Sequence, residues 1–218
     1  PPDAPAARIG RPSLITIVGD MLDNGFLNGA GAFLSDWLSP KAFTLPGSAE
    51  IEAEITRLMN SDDDFAFLSI DIDHFKRFNE NFGYEKGDEV LSMLARLLTD
   101  ALDEESAKVR FVGHLGGDDF VVLTTSDVAQ RVGERLTQHF DAESRGFFVP
   151  HDLERGYFEM VNRGGRREMG PLLAVTIAVV DNVRGRELHV RRLADVAAEL
   201  RRYGKSRPGS IVVTERRR

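Results

Sequence analysis

The chain alternates between short, densely apolar runs and longer stretches in which apolar residues recur every three or four positions. Dense runs bounded by turn residues predict buried strands. A Gly-Gly pair separates the second run from the third and favours a hairpin there, and a second hairpin is expected from the fourth and fifth runs. The predicted strands cover residues 65–70, 109–112, 120–124, 157–161, 172–180 and 211–213.

The regularly spaced stretches predict amphipathic helices. Phenylalanines spaced three and four residues apart mark a short helix directly after the first strand, and a longer helix follows it. The predicted helices start near Ser48, Phe75 and Lys86 and cover residues 128–140 and 193–203. Strands and helices in this order predict the α+β class, with helices flanking a central, mostly antiparallel sheet.

Composition narrows the class of protein. The 218 residues are 42% hydrophobic and 29% charged, as in ordinary globular proteins. A net charge of −7 argues against nucleic acid as a partner, and the lack of cysteine excludes disulfides and thiolate metal sites. All apolar runs are shorter than the roughly 20 residues that span a bilayer, and we expect a cytoplasmic location.

The chain divides into two parts. Residues 1–43 begin with a segment rich in Pro, Ala and Gly, and they are predicted to be a linker or the tail of an upstream regulatory segment. Residues 44–218 are predicted to form the main domain. Because the chain begins with Pro1 and not with Met, we expect it to be the cytoplasmic part of a longer protein that carries a sensory or receiver domain upstream.

Carboxylates stand where two of the predicted strands meet turns. Asp71 and Asp73 follow the first strand, and Asp118 and Asp119 follow the Gly116-Gly117 pair. If the two strands are neighbours, Asp71, Asp118 and Asp119 converge at one edge of the sheet. Three crowded carboxylates repel each other and favour a hard divalent cation, most simply Mg²⁺ with a phosphate ligand. Asp73 is expected to be structural.

Two polar residues in the following helices suit a guanine base. Asn79 lies one helical turn after Lys76, and Asp88 follows in the next helix. A carboxylate accepts hydrogen bonds from guanine N1–H and N2–H₂, and an amide serves the remaining edge of the base. Adenine has no N1–H, so a buried Asp88 would be left unpaired against it, at a cost of about 1–3 kcal/mol.

The two motifs together resemble the GGDEF family of diguanylate cyclases, here with a variant GGDDF signature. The pattern is Asp-x-Asp-x-Phe-Lys-x-x-Asn-x-x-x-Gly-x-x-x-Gly-Asp from Asp71 to Asp88, with Gly-Gly-Asp-Asp-Phe downstream. The resemblance covers about residues 45–214. It implies a fold like that of the nucleotidyl cyclases and the polymerase palm, and it makes residues 44–218 a GGDEF-like catalytic domain.

The resemblance also implies roles for individual residues. Two Mg²⁺ or Mn²⁺ ions would be held by Asp71 and Asp118 with the carbonyl of Ile72, and Asp119 would bind metal or activate the attacking 3′-hydroxyl. Two domains, each carrying one GTP, would form a homodimer, produce cyclic di-GMP and release two pyrophosphates. The catalytic set would be Asp118, Asp119 and Lys76, the guanine contacts Asn79 and Asp88, and the phosphate contacts His74, Phe75, Lys76 and Lys205.

Several positions depart from the family pattern. The fourth signature residue is usually Glu and is Asp119 here, and His114 stands where an Arg is usual. The turn that usually opens the domain is replaced at residues 40–43, and the product-inhibition motif is absent from residues 107–110. Near the C-terminus Gly209 replaces a phosphate-contacting Arg, for which Arg202 or Arg207 could substitute. These changes could reduce activity.

Two alternatives to an active cyclase follow. A catalytically weak regulatory module would bind GTP or cyclic di-GMP and signal through its conformation. A synthase that uses ATP or makes a mixed cyclic dinucleotide is less compatible with Asp88. The arginines of the last helix, including Arg201 and Arg202, are expected to line a solvated face, and His114 is expected to be an ordinary packed or surface histidine.

Overall fold

The computed structural model describes residues 45–161, 164–182 and 190–215. The predicted linker at residues 1–43 and the altered turn at residues 40–43 lie outside the described residues. None of the helices described here combines the length and the apolar character that a bilayer-spanning helix needs.

Seven strands and six α-helices are described. The helices are α1 (Ser48–Met59), α2 (Phe75–Phe82), α3 (Tyr84–Glu104), α4 (Ser126–Ser144), α5 (Pro150–Arg155) and α6 (Val190–Lys205), with a 3₁₀ turn at Arg145–Phe147. The strands are β1 (Phe65–Asp73), β2 (Phe111–Gly116), β3 (Asp119–Thr125), β4 (Tyr157–Val161), β5 (Arg167–Pro171), β6 (Ala174–Asn182) and β7 (Ile211–Thr214).

Five of the strands form the central sheet, in the order β2-β3-β1-β6-β7. Strand β1 pairs antiparallel with β3 on one side and with β6 on the other. Only the β6–β7 pair is parallel in this described sheet, and α6 connects its two strands. The predicted α+β class with a mostly antiparallel sheet is confirmed.

Each face of the sheet has its own hydrophobic core. On one face, Ala66, Leu68, Ile70 and Ile72 of β1 pack with apolar residues of α2, α3 and α4. On the other face, Phe65 and Phe67 pack with residues of α1 and α6. Successive side chains of a strand point to opposite faces, so both faces of β1 are covered by helices. This accounts for the dense apolar run from which the strand was predicted.

The predicted hairpin of residues 157–161 with 172–180 is wrong. Strand β4 pairs with β5 in a separate two-stranded sheet, whereas β6 lies in the central sheet between β1 and β7. Strand β5 is short and mostly exposed, so it lacks the dense apolar pattern that identifies a buried strand. Its Gly170 lies directly against the ring of Phe158, where a Cβ atom would be 2.2 Å from Cζ. Helix α5 was not predicted either.

Helix α6 lies close to the sheet at Gly204. A Cβ atom at this position would lie 2.5 Å from Cγ2 of Thr176 and 3.3 Å from the Cγ2 atoms of Ile211 and Val213. Thr176 is fully buried on β6. The absence of a side chain at residue 204 therefore sets how close the C-terminal turn of α6 lies to the central sheet.

We predict that Gly204→Ala destabilises the domain by about 1–2 kcal/mol, because the clash with Thr176 outweighs the better helix propensity of alanine. Urea unfolding measures the change. Gly146→Ala is the matched control, since a Cβ atom there would have no heavy atom within 4 Å beyond its immediate chain neighbours. Equal stability of the two variants would show that α6 lies farther from the sheet.

Candidate active site

One face of β1 changes along its length from apolar to acidic. Phe65 and Phe67 are followed on the same face by Ser69, Asp71 and Asp73. The last three residues are 2%, 4% and 7% exposed. Buried carboxylates require polar or charged partners, because removing an ionised group from water is costly. The acidic end of this face is therefore a candidate functional site.

The three aspartates predicted to converge do lie together. Asp71 on β1 is the direct cross-strand partner of Asp119 on β3, and Asp118 precedes Asp119 at the end of the β2–β3 turn. Carboxylate oxygens of Asp71, Asp118 and Asp119 all lie within 4.8 Å of one another. Antiparallel pairing of the two strands brings together residues almost fifty positions apart in the chain.

A tight turn positions Asp118. Gly116 and Gly117 have φ angles of 118° and 57°, which favour glycine because it has no Cβ atom. The Nε2 atom of His114 lies 2.9 Å from the carbonyl oxygen of Gly117, and its ring stacks on Phe120 with the centroids 4.5 Å apart. His114 thus braces the turn, in agreement with the expectation of a packed histidine.

The prediction that Arg201 lines a solvated helix face is wrong. Arg201 is 3% exposed, and its guanidinium joins the two paired strands. Its Nη1 lies 2.6 Å from Asp119 Oδ1 and 3.1 Å from Ser69 Oγ, and its Nη2 contacts Asp71 Oδ2. Arg202, one residue later, is exposed as predicted.

A second cation from α6 reaches the same carboxylates. Lys205 Nζ lies 2.6 Å from Asp71 Oδ1, and the lysine side chain remains 43% exposed. Leu193, Ala197, Arg201 and Lys205 step by four residues and share one face of the helix. This face changes from apolar to cationic as the β1 face beneath it changes from apolar to acidic.

Burial and mutual repulsion raise the pKa values of Asp118 and Asp119, and the nearby cations offset this only in part. Burial, followed by the charges of Asp71 and Asp119, raises the pKa of Asp118 to about 7. Burial also raises the pKa of Asp119, although Arg201 opposes the change. For Arg201, burial alone would lower the pKa, but the charges of Asp71 and Asp119 outweigh it and raise the pKa, so the guanidinium stays protonated.

The donor set of this acidic cluster fits a divalent cation. All three groups supply carboxylate oxygens, which Mg²⁺ and Mn²⁺ prefer. No ion pair joins Asp118 to another residue in the described part of the chain. The contacts of Asp71 Oδ1 and Asp119 Oδ1 are close ion pairs without the angles of well-aligned hydrogen bonds. Oxygens that are buried yet imperfectly paired are suited to a metal ion.

Asn79 and Asp88 lie near each other on consecutive helices. The amide of Asn79 lies over Gly87, where a Cβ atom would be 2.0 Å from Asn79 Oδ1. That oxygen is buried and accepts no hydrogen bond within the described chain. Burial raises the pKa of Asp88, which is half-buried. Both groups therefore have unused capacity for hydrogen bonds to a ligand.

The predicted phosphate contacts surround the start of α2. Phe75 begins this helix, His74 before it has a φ of 66°, and Lys76 is exposed. Strand β1 pairs with β3 only as far as Asp71, whose partner is Asp119, so Ile72 pairs only with β6 in the ladder. The backbone of Ile72 thus has no ladder partner on the side where β3 ends, beside the acidic cluster.

The sequence offers two substitutes for the missing phosphate-contacting arginine. Arg202 and Arg207 are both exposed, and Arg207 Nη2 donates to the hydroxyl of Tyr203 at 2.8 Å. Arg201 is the arginine that reaches the acids, and the sequence interpretation missed it. The four-residue spacing from Leu193 to Lys205 was the available signal, since it places Arg201 between apolar positions and Lys205 on one helix face.

Comparison with known proteins identifies related sequences. Residues 48–152 match the protein family described as "Diguanylate cyclase, GGDEF domain". A diguanylate cyclase of Vibrio cholerae is 32% identical over 98 residues, 42% of this chain and 29% of that protein. Response regulator PleD of Caulobacter vibrioides is 32% identical over 110 residues, 49% of this chain and 23% of that protein. The chain thus spans less than a third of the length of these relatives.

Solved structures share the fold. The GGDEF domain of YfiN (TpbB) from Pseudomonas aeruginosa has a TM-score of 0.57 and 21% identity, over 80% of this chain and 99% of that one. The GGDEF domain of DgcB from Caulobacter crescentus, in complex with c-di-GMP, has a TM-score of 0.54 and 18% identity, over 81% and 94%. The predicted fold family is confirmed.

Asp73 provides a test of how this buried face is stabilised. Thr176 Oγ1 donates a 2.8 Å hydrogen bond to Asp73 Oδ2, and burial raises the pKa of this carboxyl. We predict that Thr176→Val lowers the free energy of unfolding at pH 7 by about 1–3 kcal/mol, because a buried acceptor loses its donor.

Thr124→Val is the matched control for this measurement by urea unfolding. Thr124 is also fully buried on a central strand, but its hydroxyl has no hydrogen-bond partner within the described chain. Its replacement is expected to be neutral or stabilising. Equal losses in both variants would mean that the Thr176–Asp73 hydrogen bond contributes nothing to stability.

Proposed function

Residues 48–152 form a GGDEF domain, and on this premise we propose that the chain is the catalytic part of a diguanylate cyclase. It would condense two GTP molecules into cyclic di-GMP and release two pyrophosphates. The observation that carries the proposal is the convergence of Asp71, Asp118 and Asp119 within 4.8 Å where the paired strands β1 and β3 end, next to the start of α2. Carboxylates and a helix N-terminus are the groups that a metal-bound triphosphate requires.

We assign the divalent cation, Mg²⁺ or Mn²⁺, to Asp71, Asp118 and Asp119 with the carbonyl of Ile72. When bound, it would neutralise charge on the triphosphate and make the attacking 3′-hydroxyl more acidic. Asp119 would take part in metal binding or in activating that hydroxyl. The carboxylates hold their positions because β1 and β3 are rigid, paired strands.

Substrate binding is assigned to the loop and helices beside the acids. The backbone amides of His74, Phe75 and Lys76, at the start of α2, would bind phosphate oxygens, and the Lys76 side chain would add a positive charge. Lys205 is exposed enough to turn from Asp71 towards the phosphates. Asp88 would accept hydrogen bonds from guanine, and the unpaired Asn79 Oδ1 supports this assignment.

The assembly required for the reaction is also a proposal. One domain can hold one GTP at this site, and the product joins two, so the active form would be a homodimer with the two sites facing each other. A sensory or receiver domain upstream would control that pairing, as the similarity to a protein named response regulator suggests. GTP as substrate favours the cytoplasm as the location.

A second function is supported by Arg201. Because its guanidinium already bridges two of the three acids, the domain could bind GTP or cyclic di-GMP as a regulatory module with little turnover. Tight nucleotide binding without cyclic di-GMP formation would favour the module, whereas product formation would favour the enzyme.

We predict that the protein incubated with GTP and Mg²⁺ forms cyclic di-GMP, and that Asp118→Ala lowers the rate at least about 10³-fold through loss of metal binding. Chromatography of the products measures both. Asp118 is the best position to change because it makes no ion pair within the described chain, so its loss should not unfold the domain.

Asp63→Ala is the control for this experiment. It removes an exposed carboxylate at the opposite end of β1 and should leave the rate unchanged. Cyclic di-GMP formation by Asp118→Ala at the wild-type rate would remove the metal assignment, and a wild-type protein without product at dimer-forming concentrations would defeat the proposed function.

We also predict that Asp88→Ser relaxes the choice of base. The preference for GTP over ATP should fall by about 5- to 150-fold, because the variant lacks the carboxylate that pairs with guanine and that adenine would leave unpaired. Product analysis with mixed nucleotides measures this. Glu85→Ser, at an exposed position one turn earlier on α3, is the control, and an unchanged preference in Asp88→Ser would exclude Asp88 from base recognition.

A further inference from the structure

We propose that Arg201 is a fixed cation of the catalytic site and takes the place of one divalent metal, so that each domain binds one divalent ion instead of two. The inference rests on the proposed function in one respect, namely that Asp71, Asp118 and Asp119 form the metal site. It starts from the buried guanidinium that bridges Asp71 and Asp119.

The position of the guanidinium excludes an ion held between Asp71 and Asp119 by the two oxygens that Arg201 already contacts. Its Nη1 lies 2.6 Å from Asp119 Oδ1, and its Nη2 contacts Asp71 Oδ2. A cation that bridges the two carboxylates through the same oxygens would need to lie between them, at about 2.0–2.1 Å from each in the case of Mg²⁺. The guanidinium and the ion cannot occupy that space together.

Arg201 is also held in place. Its side chain is 3% exposed, and Nη1 makes a further contact with Ser69 Oγ at 3.1 Å. The helix turn that carries it packs closely against Thr176 of β6 at Gly204. To leave, the guanidinium would have to break contacts with two carboxylates and a hydroxyl inside an enclosed site, which is strongly unfavourable for a buried charge.

Lys205 is placed differently. Its only described ion pair is with Asp71 Oδ1 at 2.6 Å, and 43% of its side chain is exposed. A lysine on a flexible, partly solvated chain can turn away at small cost. Asp71 Oδ1 and Asp118 then remain for one divalent ion, while Arg201 stays. The same helix face thus supplies one cation that is fixed and one that can be released to the phosphates.

The charges of the cluster agree with a single ion. Two cations, Arg201 and Lys205, form ion pairs with Asp71 and Asp119, and Asp118 is the acid of the cluster without an ion pair within the described chain. Without Arg201, Asp119 would lose its ion pair as well, and the position between Asp71 and Asp119 would be open. Such a site would attract divalent ions more strongly and would have room for a second.

Titration with Mn²⁺ in the absence of nucleotide tests the proposal, with the paramagnetic resonance signal of free Mn²⁺ as the readout. We expect at most one Mn²⁺ at the cluster of the wild-type domain. Arg201→Met keeps an apolar stem of similar length and removes the charge, and it should bind the first ion about tenfold or more tightly and accept a second.

Two variants serve as controls. Arg202→Met makes the same change at the exposed neighbouring position and should bind Mn²⁺ like the wild type. Asp118→Ala measures ions bound at other acids, which are subtracted. Equal Mn²⁺ affinity in Arg201→Met and Arg202→Met, or two ions at the cluster of the wild-type domain, would overturn the proposal, and so would the absence of Mn²⁺ binding by every variant.

A second measurement needs no variant and remains decisive if Arg201→Met fails to fold. Crystals of the wild-type domain with Mn²⁺ and a non-hydrolysable GTP analogue should show one anomalous peak beside Asp118 and Arg201 still between Asp71 and Asp119. Two peaks with Arg201 displaced would contradict it. Neither experiment requires turnover, so missing cyclic di-GMP with these results would refute the proposed enzyme and leave the role of Arg201 intact.

Discussion

Asp71 and Asp119 lie side by side on adjacent strands, buried beneath α6, and Arg201 from that helix bridges them. Carboxylates buried in this way would destabilise the sheet by several kcal/mol if they lacked a partner. The end of β1 is therefore stable only when α6 is docked, and the close approach at Gly204 is what allows the docking. Fold and candidate active site depend on the same contact.

Much of this arrangement could be predicted from the sequence, because it follows from local patterns. The apolar run of β1 identifies a strand covered on both faces, and the Gly116-Gly117 pair identifies a hairpin. Once these two strands are neighbours, the convergence of Asp71, Asp118 and Asp119 follows from the register alone. The same reasoning gives helices α1 to α4 and the mostly antiparallel sheet.

The parts that could not be predicted depend on tertiary contacts. The four-residue spacing of α6 separates the faces of Arg201 and the exposed Arg202, but only the docking of the helix on the sheet brings the guanidinium of Arg201 to Asp71 and Asp119. Strand β5 is mostly exposed, and its contact with the core is through Gly170 against the ring of Phe158, which leaves no apolar periodicity in the sequence.

The protein balances its own acidic cluster with cations from α6, so that the site is assembled before any metal or nucleotide binds. A high-resolution crystal structure of the domain, grown without divalent ions or nucleotide, tests this most directly. The account predicts Arg201 buried, with its guanidinium in contact with both Asp71 and Asp119. An Arg201 side chain turned towards solvent, with the two carboxylates separated or hydrated, would contradict it.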